Sequence, residues 1–239
     1  MSEVEDILEV LESDQPAPGI ERARELLDES ELDPEDDSRL RYGIAAGMFK
    51  LSNYEGALQW LEQTDDPRRH IFQGFCYLEL DRFTNAVEAF EQAAEAEPDR
   101  KHEAILMQAQ SLVLANRLDR AKTLYESLVN EDPLPENITM ESRLGLAVTC
   151  METENYSRAQ ELLEWVLNQE EGSGYHPQAL FYIVEVHEKL GQVEQAINRA
   201  QELKNWEEDS MWEDVAGRFL QRLHDQKKNR HSRLRDYEF

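Results

Sequence analysis

Apolar and small residues recur along most of the chain at steps of three and four, the period of a helix face and not of a strand. The clearest stretch is 70–98. Gly74 and Tyr77 lie three apart, and Phe83, Ala86, Phe90 and Ala93 follow at steps of three and four. Between them Leu80-Asp81-Arg82 breaks the register, and Pro98 cannot continue a helix because it lacks an amide donor. The pattern predicts two antiparallel helices in a hairpin. Gly74 and Ala86 let the backbones approach while Tyr77, Phe83 and Phe90 fill the flanks. A hairpin this short has too little core to stand alone and requires neighbours.

The rest of the chain supplies them. Val4, Ile7, Leu8 and Leu11 form one helical face before a break at Asp14 to Pro18, and Ile20, Ala23 and Leu27 form a second. After Leu32 to Asp37, a helix carrying Tyr42, Ala45, Met48 and Phe49 is followed by one from Asn53 to Leu61. Ala57 and Ala86 are only 29 residues apart, so that second helix is expected to end early, at Asp65-Asp66-Pro67. Later hairpins use Ile105, Ala109 and Leu112 with Leu118, Ala121, Tyr125 and Leu128, and then Ala147 and Cys150 with Tyr156, Ala159, Leu163 and Val166. A loop, Glu170-Glu171-Gly172-Ser173-Gly174, leads to the last: Leu180, Val184 and His187 with Val193, Ala196, Ala200 and Leu203. Met211, Trp212, Val215, Phe219 and Leu223 form a closing face that seals the last hairpin.

The stretch 70–98 resembles a tetratricopeptide repeat, whose pattern is a small residue and an aromatic on helix A, then aromatic, Ala, aromatic, Ala and a terminal Pro through helix B. The period of that repeat is about 34 residues. The resemblance implies an all-α fold, a right-handed superhelix of antiparallel helix hairpins. We divide the chain into an N-terminal helical cap or degenerate repeat (1–37), five repeat-like hairpins (38–209), and a C-terminal capping helix with a basic tail (210–239).

Charge changes the picture of partners. Fifty-one acids against 25 bases give a net charge of −26, which opposes nonspecific nucleic-acid binding. From Arg218 onward seven bases face three acids, so an acidic array ends in a basic tail that includes Lys227, Lys228, Arg230, Arg233 and Arg235. That tail is read as a solvated helix end whose cations favour the helix dipole, or as a contact for an anionic surface. The finish Asp236-Tyr237-Glu238-Phe239 is a candidate docking peptide. Eighteen Arg against seven Lys, beside abundant acids, resembles the usage of salt-accumulating organisms; an acidic surface that recruits a basic partner is the competing reading. The acidic N-terminus has no basic leader or continuous apolar segment, and no run approaches the eighteen or so residues needed to span a bilayer. Cys76 and Cys150 are isolated, expected to be buried and reduced, and the location expected is cytoplasmic.

Chemistry is largely absent. There is no Gly-rich phosphate loop, no HExxH, no Cys or His pair at ligand spacing and no nucleophile elbow; His187-Glu188 begins a zinc-protease pattern, but Gly191 stands where the second His must be. No catalytic residue, metal site or cofactor is assigned, and a non-enzymatic role is expected. Function is then expected in a surface. The resemblance places an inner wall on the helices A, and its usual ligand is an extended peptide or a helix of another protein. Projection puts Tyr42, Phe49, Ile71, Phe75 and Leu78 on that wall, continued by Leu106, Gln110 and Val113, then Leu144, Val148 and Met151, and finally Phe181. Ala46 and Glu185 share the face. The expected function is a scaffold whose groove holds an apolar or amphipathic segment of a partner protein. One alternative is a self-assembling homo-oligomer whose groove takes the N-terminal helix; another is the regulatory subunit of an enzyme. The Lys, Asn and Arg set with which some repeat proteins hold acidic chaperone tails is missing from those wall positions.

Overall fold

The computed structural model describes residues 2–131, 133–169, 174–206 and 211–235, with only the backbone described for 229–235. The loop at 170–173, the finish at 236–239 and the side chains of the tail beyond Lys228 therefore lie outside the described residues. Thirteen α-helices and no strand are present among those described. The chain forms two compact units, residues 1–120 and 121–239.

The first unit contains α1 (Glu3–Glu12), α2 (Ala17–Glu29), α3 (Pro34–Lys50), α4 (Tyr54–Leu61), α5 (Arg69–Glu79), α6 (Phe83–Ala96) and α7 (Lys101–Leu114), with a 3-10 turn at Pro98–Arg100. Each helix packs on its sequence neighbour, and α1 also lies along α3. Several starts are chemically marked: Asp33 accepts the amides of Glu35 and Asp36, and Asn53 accepts that of Gly56 at 3.0 Å, satisfying donors that a helix start leaves open. Val4, Ile7 and Leu11 of α1 are buried with Ile20, Ala23, Leu40 and Ile44 in one core cluster. Ile71, Ala86, Phe90, Ala93 and Ala104 make a second.

Helix α4 has only eight residues. The missing turns are replaced by a polar loop sunk into the unit. Thr64 is 2% exposed, and its hydroxyl donates to the Ser38 carbonyl at 2.9 Å and accepts the Asp66 amide at 3.2 Å. The Asp66 carboxylate in turn accepts the backbone and guanidinium N–H groups of Arg68 at 2.6–2.9 Å. A loop can be buried there because its polar groups find partners within it.

The second unit contains most of α8 (Leu118–Val129), which begins just before the boundary, then α9 (Glu136–Glu152), α10 (Tyr156–Leu167), α11 (His176–Lys189), α12 (Val193–Lys204) and α13 (Met211–Arg235). Val184, Ala196, Ile197, Ala200, Phe219 and Leu223 form one core cluster, so α13 covers α11 and α12. Met211, expected on the sealing face, is 71% exposed, because it is the first residue of α13 and the covering contacts begin further along. His187 is buried, its Nδ1 2.6 Å from the side-chain oxygen of Gln192, which accounts for an imidazole at an apolar position. Cys76 and Cys150 are buried, and burial pushes the Cys76 thiol up to about 12.

Five turns close in the same way. Ser52, Asp81, Asn116, Glu154 and Gly191 all have φ between 55° and 72°, the left-handed region. At each, the next residue's amide donates back to the carbonyl of Met48, Tyr77, Leu112, Cys150 or His187 at 2.7–2.9 Å. The left-handed residue's own amide donates to Phe49, Leu78, Val113, Met151 or Glu188 at 2.8–3.0 Å. This is the Schellman closure, which satisfies orphan carbonyls at a helix end.

Candidate functional site

The five left-handed residues give a common register for the helices that precede them. Ten residues before each stand Tyr42, Ile71, Leu106, Leu144 and Phe181. The three aliphatic members are 0–5% exposed, whereas the two aromatics are half-buried. Ile71, Leu106 and Leu144, expected on the wall, are therefore core residues. A helical projection misses this because it reads angle and not depth: at 3.6 residues per turn the residue ten back falls between those three and six back in angle, but about a turn nearer the helix start, where these three are buried.

Six and three residues before each turn the outcome differs. Ala46 and Phe49, Phe75 and Leu78, and Gln110 and Val113 in the first unit are all half-buried. So are Val148 and Met151, and Glu185 and Glu188, in the second. These stripe positions are apolar, apart from Gln110, on α3, α5, α7 and α9, and acidic on α11.

Aromatic packing fixes several members. Phe72, which the projection omitted, meets Tyr42 edge-on at 5.5 Å and Phe49 at a tilt at 5.3 Å between ring centroids, and Phe49 meets Tyr54 at 5.2 Å. Phe75 stands edge-on to Phe90 at 5.4 Å. Phe181 sits among Tyr182, Trp212 and Phe219. Each keeps part of its surface open, but part of its area is already committed to the fold.

Beside Tyr42 lies a pocket of about 200 Å³ between α1, α3 and the start of α5. Leu8 and Leu11 form one side, and Tyr42, Gly43 and Ala46 form the other. Its rim carries Glu12, Arg39, Lys50 and Arg68. The Arg68 guanidinium lies 4.1 Å from the Tyr42 ring centroid while pairing with Asp66. Burial pushes the Asp66 carboxyl up, but the bonds from Arg68 outweigh it and hold the group below the usual carboxylate range. Arg39 pairs with Glu5 at 2.9 Å and Asp36 at 3.1 Å. Residues 39, 43, 46 and 50 share one face of α3 by spacing alone; Arg68 arrives from the next hairpin, which periodicity does not reveal.

The second unit has a larger cleft, about 750 Å³, at the ends of α9 and α11 beside α13. Met151 and Tyr156 line it with Glu152, Glu154, Glu185 and Glu188, and with Lys189, Arg222 and Gln226. Arg222 pairs with Glu188, and Gln226 donates to the same carboxylate at 2.6 Å. Burial, aided by Glu188, raises the Glu185 carboxyl above its ordinary value against the pull of Arg222. Among the described residues no group of His, Cys, Asp and Glu is placed to hold a metal, and no helix is long and apolar enough to cross a membrane.

Helix hairpins closed by a repeated turn, with a half-exposed stripe on every first helix, define a tetratricopeptide-type helical solenoid. Residues 15–219 match the family described as coatomer epsilon subunit, and the chain belongs to that family. No curated protein matches it in sequence. Among solved structures, apo RapI superposes with a TM-score of 0.77 at 14% identity, over 93% of this chain and 70% of its own. The apo quorum sensor NprR from B. thuringiensis gives 0.65 at 13% identity over 87% of this chain, which spans 63% of that receptor's length. The thermophilic tetratricopeptide-repeat protein TTC0263 of Thermus thermophilus gives 0.55 at 14% identity, over 77% of this chain and 98% of its own. These likenesses establish the fold.

Proposed function

We propose that this chain is a non-catalytic interaction scaffold that holds an amphipathic segment of another protein against its first-helix stripe. The observation that carries the reading is the common register: side chains six and three residues before the turn stay half-exposed on all five helices, while their aliphatic neighbours ten back are core. A partner helix would lay its i, i+3, i+4 and i+7 side chains on such a stripe. Membership of a family described as a subunit supports a role defined by other chains. NprR, a protein of similar fold, has been solved in complex with its cognate peptide NprX, which supports the capacity of this architecture to hold a peptide. Within the second unit, the acidic stripe positions on α11 favour contact with a cationic side chain.

Self-assembly through the N-terminal helix is the weaker reading, because Val4, Ile7 and Leu11 are already buried against α2 and α3. A regulatory subunit remains compatible with the scaffold, since it too acts by binding. A cytoplasmic setting fits either.

Capture of partners from the source cell by wild type, Phe75→Glu and Val113→Glu tests the proposal. Phe75 touches Phe90, so Val113, a half-buried stripe residue on another helix, serves as the second variant. A partner lost from both variants, with helicity unchanged, is the expected result. A partner retained by both folded variants overturns the stripe as the binding surface.

A further inference from the structure

We infer that the pocket between α1 and α3 is the receptor for one anchor of the partner: a large apolar side chain followed directly by an acidic residue. The inference rests on the scaffold reading above and names the chemistry of one end of the bound segment. Two observations carry it, size and charge.

The pocket holds about 200 Å³. An engineered apolar cavity of about 150 Å³ takes benzene, so this one has room for an aromatic or branched aliphatic side chain. Its opening depends on small residues. A Cβ on Gly43 would lie 2.9 Å from Leu11 Cδ1 and 3.1 Å from Leu8 Cδ2, so a larger residue there would force those side-chain ends to shift. Ala46, one of the half-exposed stripe positions, forms the adjoining wall, which joins the pocket to the proposed binding surface.

The rim of this acidic molecule carries one cation that is held by backbone carbonyls. Three cations, Arg39, Lys50 and Arg68, face one acid, Glu12, in a chain whose net charge is −26. Arg39 and Arg68 are matched by Glu5, Asp36 and Asp66. Lys50 is different. Its ammonium donates to the backbone carbonyls of Glu12 and Ser13, the latter at 3.1 Å, and among the described residues it meets no carboxylate side chain. An ammonium held at the mouth by neutral oxygens is a ready partner for an incoming carboxylate, whereas a cationic residue there would meet the like charge of Lys50. Exposed acids farther than about 8 Å from the mouth are largely screened at physiological salt.

The probes are acetyl-Phe-Glu-amide, acetyl-Phe-Lys-amide and acetyl-Ala-Glu-amide. Each is titrated at about 0.15 M salt into the full chain while the methyl resonances of Leu8 and Leu11 are followed. Acetyl-Phe-Glu-amide is expected to shift both saturably, with a Kd lower by roughly fivefold than the Lys probe and by about tenfold or more than the Ala probe. Lys50→Glu, an exposed substitution, should reverse the Glu-over-Lys order, and Ala46→Leu should fill the pocket and remove the shifts. Equal binding of the Glu and Lys probes, or an order indifferent to Lys50→Glu, overturns the proposal. The captured partner separates this from the scaffold reading. If its binding is broken by Val113→Glu but untouched by Lys50→Glu, the pocket fails and the stripe stands. If Val113→Glu is harmless while the Phe-Glu probe still seats on Leu8 and Leu11, the stripe fails and the pocket stands.

Discussion

The ring of Phe90 occupies the space that a Cβ on Gly74 would claim: an ideal Cβ there would lie 2.5 Å from both Cε1 and Cζ of the ring. Helices α5 and α6 thus approach through a missing side chain, and the ring that fills the gap is fully buried. Gly74→Ala should therefore destabilise by about 1–3 kcal/mol through overpacking, despite the better helix propensity of Ala. Phe90→Ala should cost about 3–5 kcal/mol. In the double variant the clash disappears with the ring, so its loss should fall short of the two single losses combined. Denaturant unfolding of the four proteins measures this, and strict additivity would show that the two positions do not compete for one space.

The repeated turn makes a second prediction. Four of the five left-handed positions carry a side chain, among them Glu154 at φ 58°. Glycine adopts this conformation without the Cβ penalty. Glu154→Gly should therefore stabilise by about 0.5–1 kcal/mol, and Gly191→Ala should destabilise by about 1 kcal/mol or more. Thermal unfolding of both variants checks the opposite signs.

These two features mark what was legible in the sequence and what was not. Gly74, Phe90 and the break at Leu80-Asp81-Arg82 were readable because helix periodicity and small residues at close approaches are local signals. The shortened helix before Asp65-Asp66-Pro67 was readable from spacing. The candidate site was only partly so. Projection places Ile71, Leu106 and Leu144 beside Phe75 and Val113 because all share one helical face, and periodicity carries no signal for how deep along that face the packing reaches. Phe72 lies off that face, and its contact with Tyr42 and Phe49 comes from the preceding hairpin. The pocket rim needs Arg68 from a different hairpin, and no periodicity brings that guanidinium onto Tyr42.

Asp66 and Arg68 give a prediction with a defined sign in pH. The Asp66 carboxyl is held below its unfolded value by Arg68. A depressed carboxyl contributes stability that is present above the unfolded pKa, about 3.9, and is lost as pH falls through the folded pKa. Arg68→Ala leaves a buried carboxylate without its guanidinium and should destabilise by about 1–3 kcal/mol at neutral pH. Arg68 is half exposed, which limits the loss to that range. The difference from wild type should shrink below the unfolded pKa. A difference that is flat from neutral pH to strongly acidic pH would mean that Arg68 acts through packing on Tyr42 instead.

Salt should stabilise the fold. The excess of 26 acids repels itself across the surface, and raising salt from 0.1 M to 1 M cuts the screening length from about 10 Å to about 3 Å. Exposed ion pairs such as Arg82–Glu55 weaken at the same time, but each contributes only about 0–1 kcal/mol. The excess charge outnumbers them, so the melting temperature is expected to rise with KCl. A melting temperature that falls with KCl would give the ion pairs the greater weight.

Glu97 should behave in the opposite sense to Asp66. It follows α6, its side chain is 10% exposed, and its Oε1 is buried without a hydrogen-bond partner. The nearest cation, Arg100, stands 4.0 Å away and is held more closely by Glu103 at 2.7 Å. Burial raises the Glu97 carboxyl above its ordinary value; Arg100 and Arg68 pull it down, and Asp66 and Glu103 add to the rise. A raised carboxyl favours the protonated form in the folded protein, so stability declines as pH rises from the unfolded pKa through the folded one, and the cost persists above it. Glu97→Gln keeps the shape and removes the charge. Its melting temperature should exceed that of wild type at about pH 7 and converge with it as the pH falls below the unfolded glutamate value of about 4.3. A variant less stable than wild type at neutral pH would show that the carboxylate's attraction to Arg100 and Arg68 outweighs the cost of burying it.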